Sequence, residues 1–185
     1  MPNAILDPTG RADVEAAVAP AGLELAPRPR GLAGLRIGLL DNTKHNAALL
    51  LAEIGKLLVT EHGAAAVSLA QTKPNFAAPA PDGLVDSYRR ECDAVITGVG
   101  DCGSCSASAV ADGIVFERAG LPAVVIISDA FVVTANAMAG LHGAPGYEFV
   151  VTEHPVAILS EEQVVQRAKR LLPEVVSMLT DQAAQ

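Results

Sequence analysis

Two thiols stand three positions apart in Asp101-Cys102-Gly103-Ser104-Cys105-Ser106, with Gly100 just before the string. At that spacing one sulfur can attack a substrate, and the other can resolve the resulting mixed disulfide or assist the first thiolate. A helix beginning here would turn its free N–H groups and positive dipole end on the first thiol, lowering its pKa. Cys102 is therefore the expected nucleophile and Cys105 its resolving or assisting partner. Gly103 and Ser104 would offer N–H groups to developing negative charge. Asp101, immediately before Cys102, opposes thiolate formation unless it points elsewhere or relays a proton. C-x-x-C is also half of many zinc sites, but no second C-x-x-C or H-x(3–5)-H completes one, and no metal is expected. Cys92 stands alone and reads as a small buried hydrophobe.

Other reactive side chains follow short aliphatic runs. Asp41, Asn42, Thr43, Lys44 and His45 come after the first run, Lys73 after the second, Ser128 after the fourth, and Glu153-His154 after the fifth. His154 precedes Pro155, which biases its backbone to extended conformations and makes it the expected acid/base partner of the thiol. His45 is a second candidate. Asp41 is expected to orient substrate or imidazole, and its alternative is ordinary helix capping. Asn42, Thr43, Lys44, Lys73, Gly103, Ser104, Ser106 and Ser128 are expected to line the substrate site, the two lysines meeting a substrate carboxylate.

These side chains need elements to carry them. Strands are expected at 35–40, 64–69, 94–96, 122–127 and 147–152. Helices are expected at about 44–61, 83–91, 107–119, 130–140 and 160–179, with a loop at 98–106 and a kink or break near Leu172 before Pro173. Continuous aliphatic strands alternating with helices predict a three-layer, doubly wound α/β domain. Its sheet is expected to be mostly parallel, of about five strands, in flavodoxin-like order. Ligands then bind beyond the carboxyl ends of the strands, where the residues above collect. Residues 1–34, with five prolines, are expected to form an N-terminal arm on the body or on a partner subunit, and 35–185 the single α/β domain.

Half of the 185 residues are apolar, the mean hydropathy is +0.34 and the net charge is −8. Such a chain can bury a core, and it has little with which to neutralise phosphates, so nucleic acid and anionic membrane surfaces are not expected partners. No apolar run approaches the roughly 20 residues of a spanning helix, and the first 30 residues do not read as a signal peptide. Three cysteines make no secreted disulfide framework, and a cytoplasmic location is expected. Few aromatics are present to flank a flavin, and no cofactor is expected.

GLLDNTKHNA at 38–47, VITGVGDCGSCSASAVADGIVFERAGLPAVVI at 95–126 and EHP at 153–155 resemble the UGSC family, named for a selenocysteine-Gly-Ser-Cys motif. The resemblance covers roughly residues 35–180 and places Cys102 at the selenocysteine position and Cys105 at the motif's cysteine. It implies a thiol or selenol nucleophile with redox character. The string 102–106 is also similar to the C-x-x-C-S-C metal loop of nitrile hydratases, but Ala107 stands where the third ligand would be. A fainter likeness is to the aspartate/glutamate racemase superfamily, which implies a cysteine-dependent isomerase, lyase or hydrolase. The expected function is a thiol-dependent enzyme acting on a small polar electrophile. Its alternatives are that lyase, hydrolase or isomerase, or a half-site subunit completed by a second copy or a homologous chain.

Overall fold

The computed structural model describes residues 22–181. Five parallel strands form one sheet: β1 (Arg36–Asp41), β2 (Ala66–Thr72), β3 (Ala94–Gly100), β4 (Ala123–Ser128) and β5 (Val150–Thr152), in spatial order β2-β1-β3-β4-β5. Between and after them run α1 (Ala47–His62), α2 (Asp82–Glu91), α3 (Gly103–Arg118), α4 (Val132–Leu141) and α5 (Glu161–Leu179). This is the three-layer, flavodoxin-like α/β fold, and its order reverses between β1 and β3.

Strand alternation sorts the core into two halves. Ile37, Leu39, Ile96, Val124 and Ile126 face α1 and α5. Leu40, Val95, Val125 and Ile127 face α2, α3 and α4 on the other side. Every residue of β3 and β4 is buried, which is why β4 reads as an aliphatic run and β3 opens on one.

The central strand is longer than its sequence promises. β3 runs on to Gly100 instead of ending at Ile96, and α3 starts at Gly103, four residues before the expected Ala107. Gly98 and Gly100 each cost a strand about 0.5–1 kcal/mol. Burying Val95, Ile96 and Val99 contributes about 1.5–3 kcal/mol each, and the ladder to both neighbours does the rest. Gly100 is also required by packing: a Cβ there would lie 2.5 Å from Ile127 Cδ1 and 2.8 Å from both Cα and Oγ of Ser106. Its absence lets the first turn of α3 sit directly against the strand end.

No break occurs in the last helix: α5 passes through Pro173 without interruption. A Ser160–Gln163 capping box starts it, and Val164, Ala168, Leu171, Leu172, Val175 and Leu179 are buried on both sides of the proline. That burial outweighs the one missing backbone bond.

Residues 1–21 of the expected arm lie outside the described residues; 22–34 cross the amino end of the sheet. Arg28 grips Glu117 through two bonds of 2.8 and 2.9 Å and donates from Nε to Met178 O. Glu117, fully buried, also accepts the N–H groups of Ala26 and Ala123. The Asp181 N–H donates to Pro29 O, so the far end of the chain ties down the same segment.

Candidate active site

Cys102 is the N-cap of α3, in extended conformation, and the N–H of Cys105 reaches its sulfur at 3.3 Å. The two sulfurs are in contact, with Cα atoms 5.2 Å apart, a spacing a disulfide requires. They differ in access: Cys105 is buried and Cys102 only half-buried. Ser104 is exposed, its Oγ 3.7 Å from the Cys102 sulfur. Ser106 turns inward and donates from Oγ to Cys102 O at 2.7 Å, fixing the peptide that carries the thiol.

Asp101 leaves the same strand end but faces the loop after β5. Its carboxylate accepts the N–H groups of Val156 and Ala157 and lies 2.8 Å from His154 Nδ1. Burial pushes this carboxyl up, but those two N–H groups, Ser128 and His154 outweigh it and hold the group below its usual range. His154 keeps 36% of its side chain exposed and meets the edge of Phe131. Its own N–H donates to Asp129 Oδ1. Ser128 Oγ lies 3.2 Å from His154 Nδ1 and 3.0 Å from Gly100 O. The ends of β3, β4 and β5 are thereby joined around one imidazole.

The loop after β1 borders the other side. Asp41 is half-buried and accepts from Thr43 N–H and Thr72 Oγ, the capping-type use of a carboxylate. Thr43 and Asn46 both hold left-handed backbone conformations (φ 70° and 68°). Asn46 secures its own by donating from Nδ2 to Val156 O and Leu159 O, and His45 Nδ1 lies 2.7 Å from Ala157 O. Thr43 is exposed and Lys44 half-buried, so both remain open to a ligand.

Four expected substrate contacts are corrected. Asn42 is fully buried and donates to Val99 O. Ser106 and Ser128 are fully buried on the backbone partners given above. Lys73 is not at the rim: its ammonium is sealed against both oxygens of Asp112 (2.6 and 2.8 Å), Ser108 Oγ and Ala78 O, with neither charged side chain exposed. Asp112 also takes the Ala80 N–H, and burial pushes its carboxyl up to about 6 against the pull of Lys73. A charge in the β2–α2 loop reads as surface; here it staples that loop to α3. The sequence reads Asp101 as opposing the thiolate unless it points elsewhere or relays a proton; it points elsewhere, and its grip on His154 has no signal in the sequence beyond both residues ending strands. Cys92 is buried against Tyr88 and beside Gly38, and desolvation raises its thiol to about 11. A cavity of about 640 Å³ lined by Arg28, Cys92 and Pro122 lies at the amino end of the strands, not at this site.

Fold and site together define a flavodoxin-like α/β protein with a C-x-x-C pair at the carboxyl end of its central strand and an Asp-held histidine beside it. The model of the UGSC family matches residues 4–181, and the chain belongs to the UGSC family. That match carries the UGSC likeness and not the racemase one. No curated protein and no solved structure matches the chain. Among the described residues no helix is long and apolar enough to cross a membrane.

Proposed function

We propose that this chain is a dithiol enzyme in which Cys102 attacks a small polar electrophile and Cys105 resolves the adduct. The observation that carries the reading is the asymmetric pair at the α3 N-terminus: an accessible sulfur receiving a helix N–H, with a buried sulfur in contact behind it. The helix end and the Cys105 N–H favour the Cys102 thiolate. That thiolate forms a bond to the electrophilic atom, and the leaving group departs with the electron pair. Cys105 then attacks the Cys102 sulfur, and the bond from Cys102 to the substrate breaks with its electrons on the substrate. Two electrons have passed to the substrate, the protein holds the Cys102–Cys105 disulfide, and an external dithiol restores it. Of the two thiol protons released, one is taken up by His154 Nε2 and passed to a departing group, and the other passes through solvent, so that both departing groups leave protonated. Thr43, Lys44 and Ser104 line the entry. The dithiol state needs a reducing compartment, which fits a cytoplasmic location.

The test is intact mass after exposure of reduced protein to oxidised glutathione. Cys105→Ser should retain one glutathione on Cys102, wild type should show the internal disulfide, and Cys102→Ser should take up nothing. A Cys105→Ser protein that stays unmodified sinks the resolving role. Thiol-dependent turnover without any reductant would point instead to lyase, hydrolase or isomerase chemistry.

A second subunit is favoured by one observation. Val133 and Leu141 on the outward side of α4 are 82% and 80% exposed, an apolar face suited to a second copy. Solution mass by light scattering tests it, and a strict monomer refutes it.

A further inference from the structure

We infer that His154 is locked in the tautomer with its proton on Nδ1, leaving Nε2 as the nitrogen that exchanges protons at the site, and that Asp101 is the residue that sets this. The assignment follows from counting protons. Nδ1 has two neighbours, Asp101 Oδ1 at 2.8 Å and Ser128 Oγ at 3.2 Å. The Asp101 carboxyl is held ionised by the N–H groups of Val156 and Ala157 and has no proton to give. Ser128 has one hydroxyl proton, and Gly100 O at 3.0 Å and the Asp101 carboxylate, two groups with no proton to share, compete for it. Both neighbours can then only accept, so Nδ1 must donate. A bare Nδ1 would face a carboxylate and a hydroxyl lone pair inside a site where Asp101 is 1% exposed, which is the costly arrangement. Nε2 has no partner among the described residues, on a ring that stays 36% exposed. It is the nitrogen open to substrate.

Three backbone groups make the lock stiff. The His154 N–H is held by Asp129, and the Val156 and Ala157 N–H groups by Asp101 itself, so the carboxylate positions the ring and the loop bearing it in one stroke. Asp101 is a positioning residue, not a catalytic one: it acts through His154. The use of Nε2 as proton donor rests on the dithiol reading above, whereas the location of the resting proton does not.

The experiment is nitrogen NMR of protein labelled with ¹⁵N in its four histidines, recorded at the alkaline end of the ring titration, with His154→Gln assigning the signal. Wild type should show a protonated Nδ1 and a bare Nε2. The reverse pattern overturns the inference. Ser128→Ala should keep the Nδ1-protonated form, because Asp101 remains. Asp101→Asn should lose it, since an amide turned by its N–H toward the ring stabilises a bare Nδ1, and Asp101→Glu should recover part of it. If Asp101→Asn, folded by circular dichroism, keeps the wild-type pattern, Asp101 does not set the tautomer. If that variant does not fold, the wild-type spectrum and Ser128→Ala still decide. Failure of glutathione to load Cys105→Ser would sink the proposed reaction while this spectrum reads the tautomer independently.

Discussion

Removing one member of the Lys73–Asp112 pair should destabilise the protein more than removing both. In Asp112→Ala the Lys73 ammonium loses its two carboxylate contacts and keeps only Ala78 O and Ser108 Oγ, in a place where its side chain has no exposure. Stranding a buried charge costs about 3–5 kcal/mol. The Ala80 N–H loses its acceptor as well, for about 1 kcal/mol more. The expected loss of about 4–6 kcal/mol is roughly half the stability an ordinary domain has. With a urea slope of about 2 kcal/mol per molar, it moves the midpoint down by about 2–3 M. The double variant Lys73→Met/Asp112→Leu removes both charges and fills the space, and should lie within about 2 kcal/mol of wild type. Urea unfolding followed by far-ultraviolet circular dichroism is the assay, because the chain has no tryptophan. Asp112→Asn, which preserves shape, serves if the alanine variant does not fold. A loss under about 1 kcal/mol for Asp112→Ala would mean that Lys73 reaches water. A double variant as unstable as the two singles summed would mean that the charges are not coupled.

Three further outcomes are expected. Gly100→Ala forces a Cβ against Ile127 and Ser106, and should cost about 1–3 kcal/mol and slow glutathione loading of Cys102; unchanged stability and loading would show that α3 can move away without consequence. The folded-state pKa of Asp101 is depressed, so its stabilisation is fully present above the unfolded value of about 4 and is lost as pH falls through the lower folded value. The stability gap between wild type and Asp101→Asn should therefore be widest near neutrality and shrink in acid, and a gap that widens in acid refutes the assignment. Glu117→Gln weakens the clasp on Arg28 and should cost about 2–3 kcal/mol, below the usual range for a sealed pair because Arg28 retains some access to water. Trypsin should then cut after Arg30 faster than in wild type (Arg28 precedes Pro29 and is resistant), and an unchanged cleavage rate would show that the arm is held by other contacts.

The sheet was legible because β1, β3 and β4 each carry a short aliphatic run and each is followed by a helical stretch. Element edges were not, where a local preference met a stronger tertiary one. Glycines at 98, 100 and 103 read as loop, although two of them lie in a strand buried on both faces and the third opens a helix. Pro173 read as a stop, although the residues on both sides of it are buried. For the site, position along the chain was informative and direction was not. Asp41, Cys102 and His154 do end strands on one edge, but Asn42, Lys73, Ser106 and Ser128 spend their polar atoms on internal partners. Whether a polar residue at a strand end faces outward or back into the protein depends on neighbours from other elements, and that information is absent from a local window.

Adjacent placement of a carboxylate and a nucleophilic thiol looks self-defeating until the strand's alternation is followed past its end. Val99 packs with α1 and α5, and Gly100 faces Ile127 and Ser106 on the α3 side. Asp101 turns back to the first side, where Val156 and Ala157 hold it, and Cys102 turns to α3, whose helix it caps. Counted from Val99, beyond the irregularity in the β3–β4 ladder between Gly98 and Gly100, the two-residue period sends the two groups to opposite sides of the strand end. The carboxylate's charge is taken up by two N–H groups and an imidazole, and the thiol is left to the positive end of a helix. An inserted residue between Gly100 and Cys102 would reverse that separation, turning either the carboxylate toward α3 or the thiol toward the β5 loop. Such a variant should lose glutathione loading while keeping its sheet, and retention of wild-type loading would show that alternation is not what keeps the two groups apart.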